Sequence, residues 1–112
     1  MINEVAAVTE ALIKFHQSHD LYIPEALHDV QQAAVENRMD DACRIAFGIK
    51  PFGMGSLTDQ FPTPGPGEDD IYCRVIHEAL VNHWCFRISC VHDDNNTYWK
   101  RVIKAIGSLG HK

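Results

Sequence analysis

Histidine and cysteine are the residue types in this chain best suited to chemistry, and one pair of them has the spacing of metal ligands. Cys73 and His77 are four residues apart, so a helix would place both on one face, where they could bind zinc. Their neighbours on that face, Leu80 and Trp84, are typical core residues, and no second ligand pair accompanies them. Free cysteine usually packs as a small hydrophobic side chain. We therefore expect no metal ion and no cofactor.

A glycine-containing segment at residues 52–59, with the sequence FGMGSLTD, is the second candidate for chemistry. Ser56 lacks the Gly-x-Ser-x-Gly context of an activated serine nucleophile. The segment also lacks the Gly-x-x-x-x-Gly-Lys-Ser/Thr pattern that binds phosphate, and Lys50 is the nearest basic residue. The sequence therefore predicts no catalytic residue, although a small enzyme or ligand-binding domain that uses residues 53–56 is an alternative.

The same loop, together with the acidic residues that follow it, is the predicted partner-binding surface. Glycine at positions 53 and 55 permits positive φ, and Ser56 and Asp59 are residue types that organise turns through backbone hydrogen bonds. A plain turn between helices, and helix capping by the acidic residues, are the competing interpretations. Loops presented by a rigid scaffold often carry function. The predicted binding residues are Met54, Ser56, Asp59, Glu68, Asp69 and Asp70.

Hydrophobic periodicity predicts the elements that position these residues, and all of them are helices. The Pro/Gly run at residues 62–67 excludes a helix or an interior strand there. The sequence therefore predicts an all-α, single-domain bundle of four to five helices over residues 1–112, with a long Gly/Pro-rich loop at about 48–68. The first predicted helix covers residues 2–18, and the second runs from Pro24 to Asn37. A short third helix is capped by Asp40 or Asp41 and stops at Gly48. The fourth covers residues 70–90, with the acidic residues 68–70 as its cap and first turn, and the last is capped by Asn96 or Thr97 and ends at Gly110.

The predicted fourth helix is apolar around most of its circumference. Such a helix is usually central to a bundle. Residues 84–91 have high β-propensity, which makes a strand there the alternative. The first stripe comprises Tyr72, Val75, Ile76, Ala79 and Phe86, and the second comprises Cys73, His77, Leu80, Trp84, Ile88 and Val91.

Composition and charge limit the classes of partner. The chain has 112 residues, a formal net charge of −5 and 46% hydrophobic residues, which is typical of one globular domain. Binding to nucleic acid needs a Lys/Arg-rich face, so the acidic balance argues against it and suits a basic protein partner. No apolar run reaches the length of about 18 residues that spans a membrane, and the N-terminus lacks the basic start of a signal peptide. We therefore expect a cytoplasmic protein whose cysteines are reduced.

Residues 52–59 resemble the FGGMGSLND signature of a family of small bacterial domains that look like immunity proteins encoded beside polymorphic or contact-delivered toxins. In that family the signature lies between N-terminal helices and a later helix, an order that Ile71-Tyr72 matches here. The resemblance implies a non-enzymatic protein that binds a cognate toxin domain and occludes its active site. Because no export signal is recognised, the toxin is expected to act in the cytosol. A helical adaptor or chaperone is a further alternative.

Overall fold

A computed structural model describes residues 3–51 and 54–92, and the regular elements within them are four α-helices. They are α1 (Glu4–Ser18), α2 (Glu25–Val35), α3 (Met39–Ala46) and α4 (Asp70–His92). The predicted all-α bundle is therefore confirmed for the described residues. The predicted final helix, ending at Gly110, lies outside them. None of the four described helices is long and apolar enough to cross a membrane.

The four helices pack in cyclic order, α1 on α2, α2 on α3, α3 on α4 and α4 on α1. Ala33 and Ala34 of α2 and Ala42 of α3 are fully buried, and such small residues let neighbouring helices approach closely. Among the described residues, Trp84 of α4 is the largest fully buried side chain, and its Nε1–H donates to Thr9 Oγ1 on α1 over 3.0 Å. Because a buried polar group without a partner is costly, this bond fixes how α1 and α4 face each other.

Two asparagines define the ends of α1 and α2. Asn3 caps α1 through its Oδ1, which accepts the Ala6 N–H at 3.1 Å, and its Nδ2 donates to the Ala34 carbonyl near the end of α2. Asn37 has a φ of +63°, a left-handed conformation that ends helices and that asparagine tolerates better than most residues. Asn37 therefore acts as the predicted stop, although the last helical residue is Val35.

α3 differs from its prediction at both ends. Arg38 takes the capping position, so Asp40 and Asp41 lie in the first turn instead of capping it. There their charges face the positive end of the helix dipole, and Asp41 Oδ2 accepts a hydrogen bond from Arg38 at 2.9 Å. Phe47 follows the last helical residue and is 55% exposed, while the Gly48 N–H closes the turn on the Ile45 carbonyl.

α4 is helical throughout, so the strand alternative for residues 84–91 is wrong. Of its two apolar stripes, one is buried and the other is exposed. The inner stripe, which is the one containing Cys73 and His77, is buried and includes Trp84 and Ile88 at 2% and 3% exposure. The reason is that α4 packs on α1 and α3 among the described helices, which cover one side of it. The outer stripe is exposed at Tyr72 (59%), Val75 (57%) and Phe86 (43%).

Candidate functional site

The described part of the glycine loop is a compact turn held by its own hydrogen bonds. Gly55 has a φ of +75°, and its N–H donates to Asp59 Oδ2 at 2.7 Å. The Leu57 N–H donates back to the Lys50 carbonyl at 3.0 Å, which closes the loop at its base. The positive φ predicted for Gly55 is therefore confirmed, whereas Gly53 lies outside the described residues.

The predicted binding residues of this loop divide into exposed and buried side chains. Met54 is 87% exposed, and Asp59 is exposed as well. Ser56 is only 7% exposed, and its Oγ lies 3.4 Å from Thr58 Oγ1. Met54 and Asp59 can therefore be touched by a partner, whereas Ser56 belongs to the interior of the turn.

The Pro/Gly run folds back on the end of α1. Pro62 is buried, and the Thr63 N–H donates to the His19 carbonyl at 2.8 Å. Gly65 and Glu68 then bond each other twice, through the Gly65 N–H to Glu68 Oε1 at 2.7 Å and through the Glu68 N–H to the Gly65 carbonyl at 3.0 Å. The run therefore holds the Glu68 carboxylate beside the end of α1, where His19 lies.

Asp69 and Asp70 occupy the start of α4, as predicted. Asp69 Oδ1 accepts the N–H groups of Ile71 and Tyr72 at 2.7 and 3.2 Å, which is the hydrogen bonding of a helix cap. Asp70 lies in the first turn with its side chain exposed. The capping interpretation is therefore confirmed for Asp69, and Asp70 remains a surface charge.

Glu68 instead joins His19 and Cys73 in a compact group that we call the His–Glu–Cys cluster. Glu68 Oε2 lies 3.2 Å from His19 Nε2 and 3.4 Å from Cys73 Sγ, and the three ligand-type atoms all lie within 4.8 Å of one another. His19 Nδ1 lies 3.0 Å from the Phe15 carbonyl. The same Nδ1 lies 2.8 Å from Ser18 Oγ, so both nitrogens of the His19 ring have a hydrogen-bonding partner.

The cluster changes the proton affinity of two of its members. The hydrogen bond with His19, followed by the one from the Gly65 N–H, lowers the pKa of the Glu68 carboxyl. Burial, followed by the hydrogen bond to Glu68, raises the pKa of the Cys73 thiol. At neutral pH Glu68 is therefore an anion and Cys73 a thiol that donates to it. Since the thiolate is the nucleophilic form, this setting gives Cys73 little reactivity of its own.

A second buried group, the histidine pair of His16 and His77, lies next to the cluster. His16 Nδ1 is 2.9 Å from the Tyr22 carbonyl, so that nitrogen carries the ring proton. His16 Nε2 is then an acceptor, and it receives the His77 Nε2–H over 2.9 Å. The Phe15 ring stacks on His19 and on His77, with centroid distances of 4.0 and 5.3 Å. Phe15 therefore packs against a ring of each group.

The histidine pair stays neutral in the folded protein. Burial lowers the pKa of His16, and burial together with the nearby His16 lowers the pKa of His77 to about 4. The two rings are 0% and 2% exposed, so they are out of reach of a substrate. The pair therefore serves to join α1 to α4 through satisfied polar groups, and we assign it no catalytic role.

Large apolar side chains are exposed where the loop meets α4. Phe61 is 76% exposed, and the Arg74 guanidinium lies 4.8 Å from its ring centroid, which joins the loop to the helix. Ile71 lies one helical turn before Arg74 and Val75, and Ile71 and Val75 are 72% and 57% exposed. Exposed apolar patches of this kind mark interaction sites. We use the name loop–helix surface for exposed residues of the loop and of the start of α4, namely Met54, Asp59, Phe61, Asp69, Asp70, Ile71, Tyr72 and Val75.

Sequence reasoning missed the His–Glu–Cys cluster because its members are far apart along the chain. His19 and Glu68 are 49 residues apart, and local spacing carries no information on such a contact. Cys73 and His77, the pair with the spacing of metal ligands, belong to two different groups in the structure. Cys73 donates to Glu68, whereas His77 donates to His16. The signal that was available is the Pro/Gly run, whose tight turns end directly at Glu68.

No protein-family model, curated protein or solved structure matches this chain.

Proposed function

We propose that the chain is a cytoplasmic immunity protein that binds a cognate toxin domain through the loop–helix surface and occludes the active site of that toxin. The observation that carries this proposal is the exposure of Met54, Phe61 and Ile71, at 87%, 76% and 72%, beside acidic side chains. The resemblance of residues 52–59 to the immunity-type signature supports a toxin as the class of partner. No catalysis by this chain is required.

The loop–helix surface has the chemical make-up of a binding interface. Aromatic residues and methionine are enriched at interfaces, and Phe61, Tyr72 and Met54 supply them here. A few apolar anchors of this kind carry most of the affinity when a partner excludes water from them. Asp59 and Asp70 are exposed acidic residues of the kind found in the polar rim of an interface.

The same surface is held in shape before any partner arrives. The Gly55–Asp59 hydrogen bond fixes the turn, and Asp69 caps α4 directly below Ile71 and Tyr72. Binding therefore requires little ordering of the backbone, and preorganisation of this kind increases affinity.

Charge supports a basic partner. The net charge is −5, and a toxin domain that attacks nucleic acid would carry a basic face. Opposite charges steer the two proteins together and raise the association rate, an effect that salt screens. The proposed interaction is therefore a tight one-to-one complex whose association slows as salt concentration rises, with no direct contact to nucleic acid or membrane.

The first test is rescue of cells that express the toxin domain encoded beside this protein. The parent chain should restore growth, and a variant carrying Ile71→Ser with Val75→Ser should fail to do so while it remains folded. Val35→Ser is the matched control, because Val35 is a valine on α2 that is 63% exposed, compared with 57% for Val75. If the parent chain does not rescue growth, the immunity assignment is wrong. If all variants rescue growth equally, the loop–helix surface is not the binding site.

The second test measures association kinetics with the purified toxin domain at several salt concentrations. Asp70→Lys should slow association at low salt, and Asp40→Lys is the control, because both residues are exposed acids in the first turn of a helix. Met39 lines a cavity with Cys90 and Val91, which places Asp40 at the other end of α4, about 30 Å from Asp70. An association rate that is independent of salt, or equal slowing by both variants, removes the electrostatic part of the proposal.

A further inference from the structure

We propose that the His–Glu–Cys cluster is a binding site for one Zn²⁺ ion, coordinated by His19 Nε2, Glu68 Oε2 and Cys73 Sγ, with a water molecule in the fourth position. This proposal is independent of the immunity function and concerns residues that the sequence alone did not bring together. It replaces the expectation of a metal-free protein, which considered the pair of Cys73 and His77.

The spacing of the three atoms matches a zinc site. Zinc binds histidine nitrogen and carboxylate oxygen at about 2.0–2.2 Å and thiolate sulfur at about 2.3 Å, so neighbouring ligands of a tetrahedral site lie about 3.3–3.7 Å apart. The distances from Glu68 Oε2 to His19 Nε2 and Cys73 Sγ are 3.2 and 3.4 Å. The third pair of atoms lies within 4.8 Å, so a small rotation of side chains completes the site.

The neighbouring groups orient two of the ligands as metal sites require. The Nδ1–H of a zinc-bound histidine typically donates to a carbonyl or carboxylate, which directs Nε2 to the metal. His19 has this arrangement, with Nδ1 at 3.0 Å from the Phe15 carbonyl. The Gly65 N–H holds Glu68 Oε1 at 2.7 Å and so leaves Oε2 for the ion. His77 is not a fourth ligand, because its Nε2 donates to His16.

The charges of the cluster also suit a divalent cation. Glu68 Oε2 lies 3.2 Å from His19 Nε2 and 3.4 Å from Cys73 Sγ, so one carboxylate oxygen already faces two further ligand-type atoms. Zn²⁺ bound to one carboxylate, one thiolate and one neutral imidazole gives a site with no net charge. Binding releases the Cys73 thiol proton to solvent, as well as any proton held between His19 and Glu68.

The experiment titrates the purified, chelator-treated full chain with Zn²⁺ and with Co²⁺, the latter as a spectroscopic probe. We expect one equivalent of metal to bind and the Co²⁺ form to show a thiolate-to-cobalt charge-transfer band. Cys73→Ser should remove the band, and His19→Ala should weaken Zn²⁺ binding by more than the about 10–100-fold that follows loss of an outer-shell partner. Cys85→Ser and His28→Ala are the matched controls outside the cluster and should bind metal like the parent.

Two milder variants keep the test informative if a buried substitution prevents folding. Glu68→Gln retains an acceptor for the Gly65 N–H but offers a neutral amide to the metal, so it should weaken binding without unfolding the protein. A Cβ added at Gly65 would overlap Glu68 Oε1, so Gly65→Ala should displace the carboxylate and weaken Zn²⁺ binding in the same way. Absence of stoichiometric binding, absence of the thiolate band, or parent-like affinity in Cys73→Ser and Glu68→Gln overturns the proposal.

Discussion

On α4, polar ring nitrogens are buried on the inner side, whereas large apolar side chains are exposed on the outer side. The inner stripe carries a histidine and a tryptophan with polar ring nitrogens, yet His77 and Trp84 are both 2% exposed. The outer side carries large apolar side chains among its charged ones, yet Ile71, Tyr72 and Val75 are 72%, 59% and 57% exposed. The inner polar groups can be buried because each has a hydrogen-bonding partner on α1, which offsets the free-energy cost of removing it from water.

The comparison suggests that the two sides of α4 have separate roles, one in stability and one in binding. The inner stripe holds α1 and α4 together through packing and two buried hydrogen bonds. The outer side leaves large apolar groups in water, and a protein retains such groups mainly where a partner covers them. We therefore expect substitutions on the inner stripe to lower stability, and substitutions on the outer side to lower binding.

The largest expected effect is on stability when the inner stripe loses its tryptophan. Trp84→Ala should lower the free energy of unfolding by about 3–5 kcal/mol, because it leaves a cavity and removes the donor to Thr9 Oγ1. Phe86→Ala on the outer stripe should lower it by only about 1 kcal/mol or less, since Phe86 is 43% exposed. Chemical denaturation followed by circular dichroism measures both values. Similar losses in the two variants would contradict the separate roles of the two sides.

The next effect is a dependence of stability on pH that arises from the histidine pair. The unfolded-state pKa of each histidine is near 6.5, and that of His77 in the folded protein is about 4. Between these two pH values the unfolded chain binds a proton at His77 that the folded chain does not bind. The contribution of neutral His77 to the free energy of unfolding is therefore fully present above about pH 6.5 and is lost as the pH falls towards 4. His77 should account for roughly 2 kcal/mol of lost stability by about pH 5.

Denaturation curves at several pH values measure this loss, and a variant separates the pair from other histidines. His83→Asn, at an exposed position of α4, should keep the pH profile of the parent. A free energy of unfolding that stays constant between about pH 7 and 5 would show that the histidine pair accepts protons in the folded state.

A smaller effect is expected in the loop next to the outer side of α4. Gly55→Val should destabilise the protein by about 1–3 kcal/mol, because Gly55 has a φ of +75° and valine is strained there. A Cβ at this position would meet no atom within 4 Å, so the cost comes from the backbone alone. Gly55→Asn is the control and should cost less, since asparagine tolerates this conformation. Equal melting of the parent and Gly55→Val would contradict the backbone geometry of the turn.

The smallest effect is expected for the hydrogen bond that closes the same turn. Asp59→Ala removes the acceptor of the Gly55 N–H and should lower stability by about 1 kcal/mol or less, because the group is exposed to water. If the turn shapes the binding surface, the same variant should weaken toxin binding more than it weakens folding. Thermal melting and binding measured on one preparation compare the two effects.

The helices could be predicted from the sequence because their signals are local. Apolar residues at helical spacing located α1 and α2, and Asn37 and Asp69 end or cap helices through their own side chains and backbone. The side of α4 that is buried could not be predicted, because both stripes are apolar and the choice depends on where α1 and α3 lie.

The candidate sites were predicted unevenly for the same physical reason. Exposure of Met54 and Asp59 follows from a loop rich in turn-forming residues, and the structure places both at the surface. Burial of Ser56 depends on how the loop folds onto residues 50 and 51, which spacing does not report. The contact of Glu68 with His19 joins residues 49 positions apart, so it emerges only when the Pro/Gly run is folded against α1.

The most direct test of the central claim is hydroxyl-radical footprinting of the protein alone and in complex with its proposed partner, a toxin domain encoded beside it. Met54, Phe61 and Tyr72, at 87%, 76% and 59% exposure, should be oxidised readily in the free protein and protected in the complex. Trp84 should be protected in both, because it is 2% exposed. Protection of the three residues in the free protein, or their unchanged oxidation in the complex, would contradict the account that this surface is open and binds the toxin.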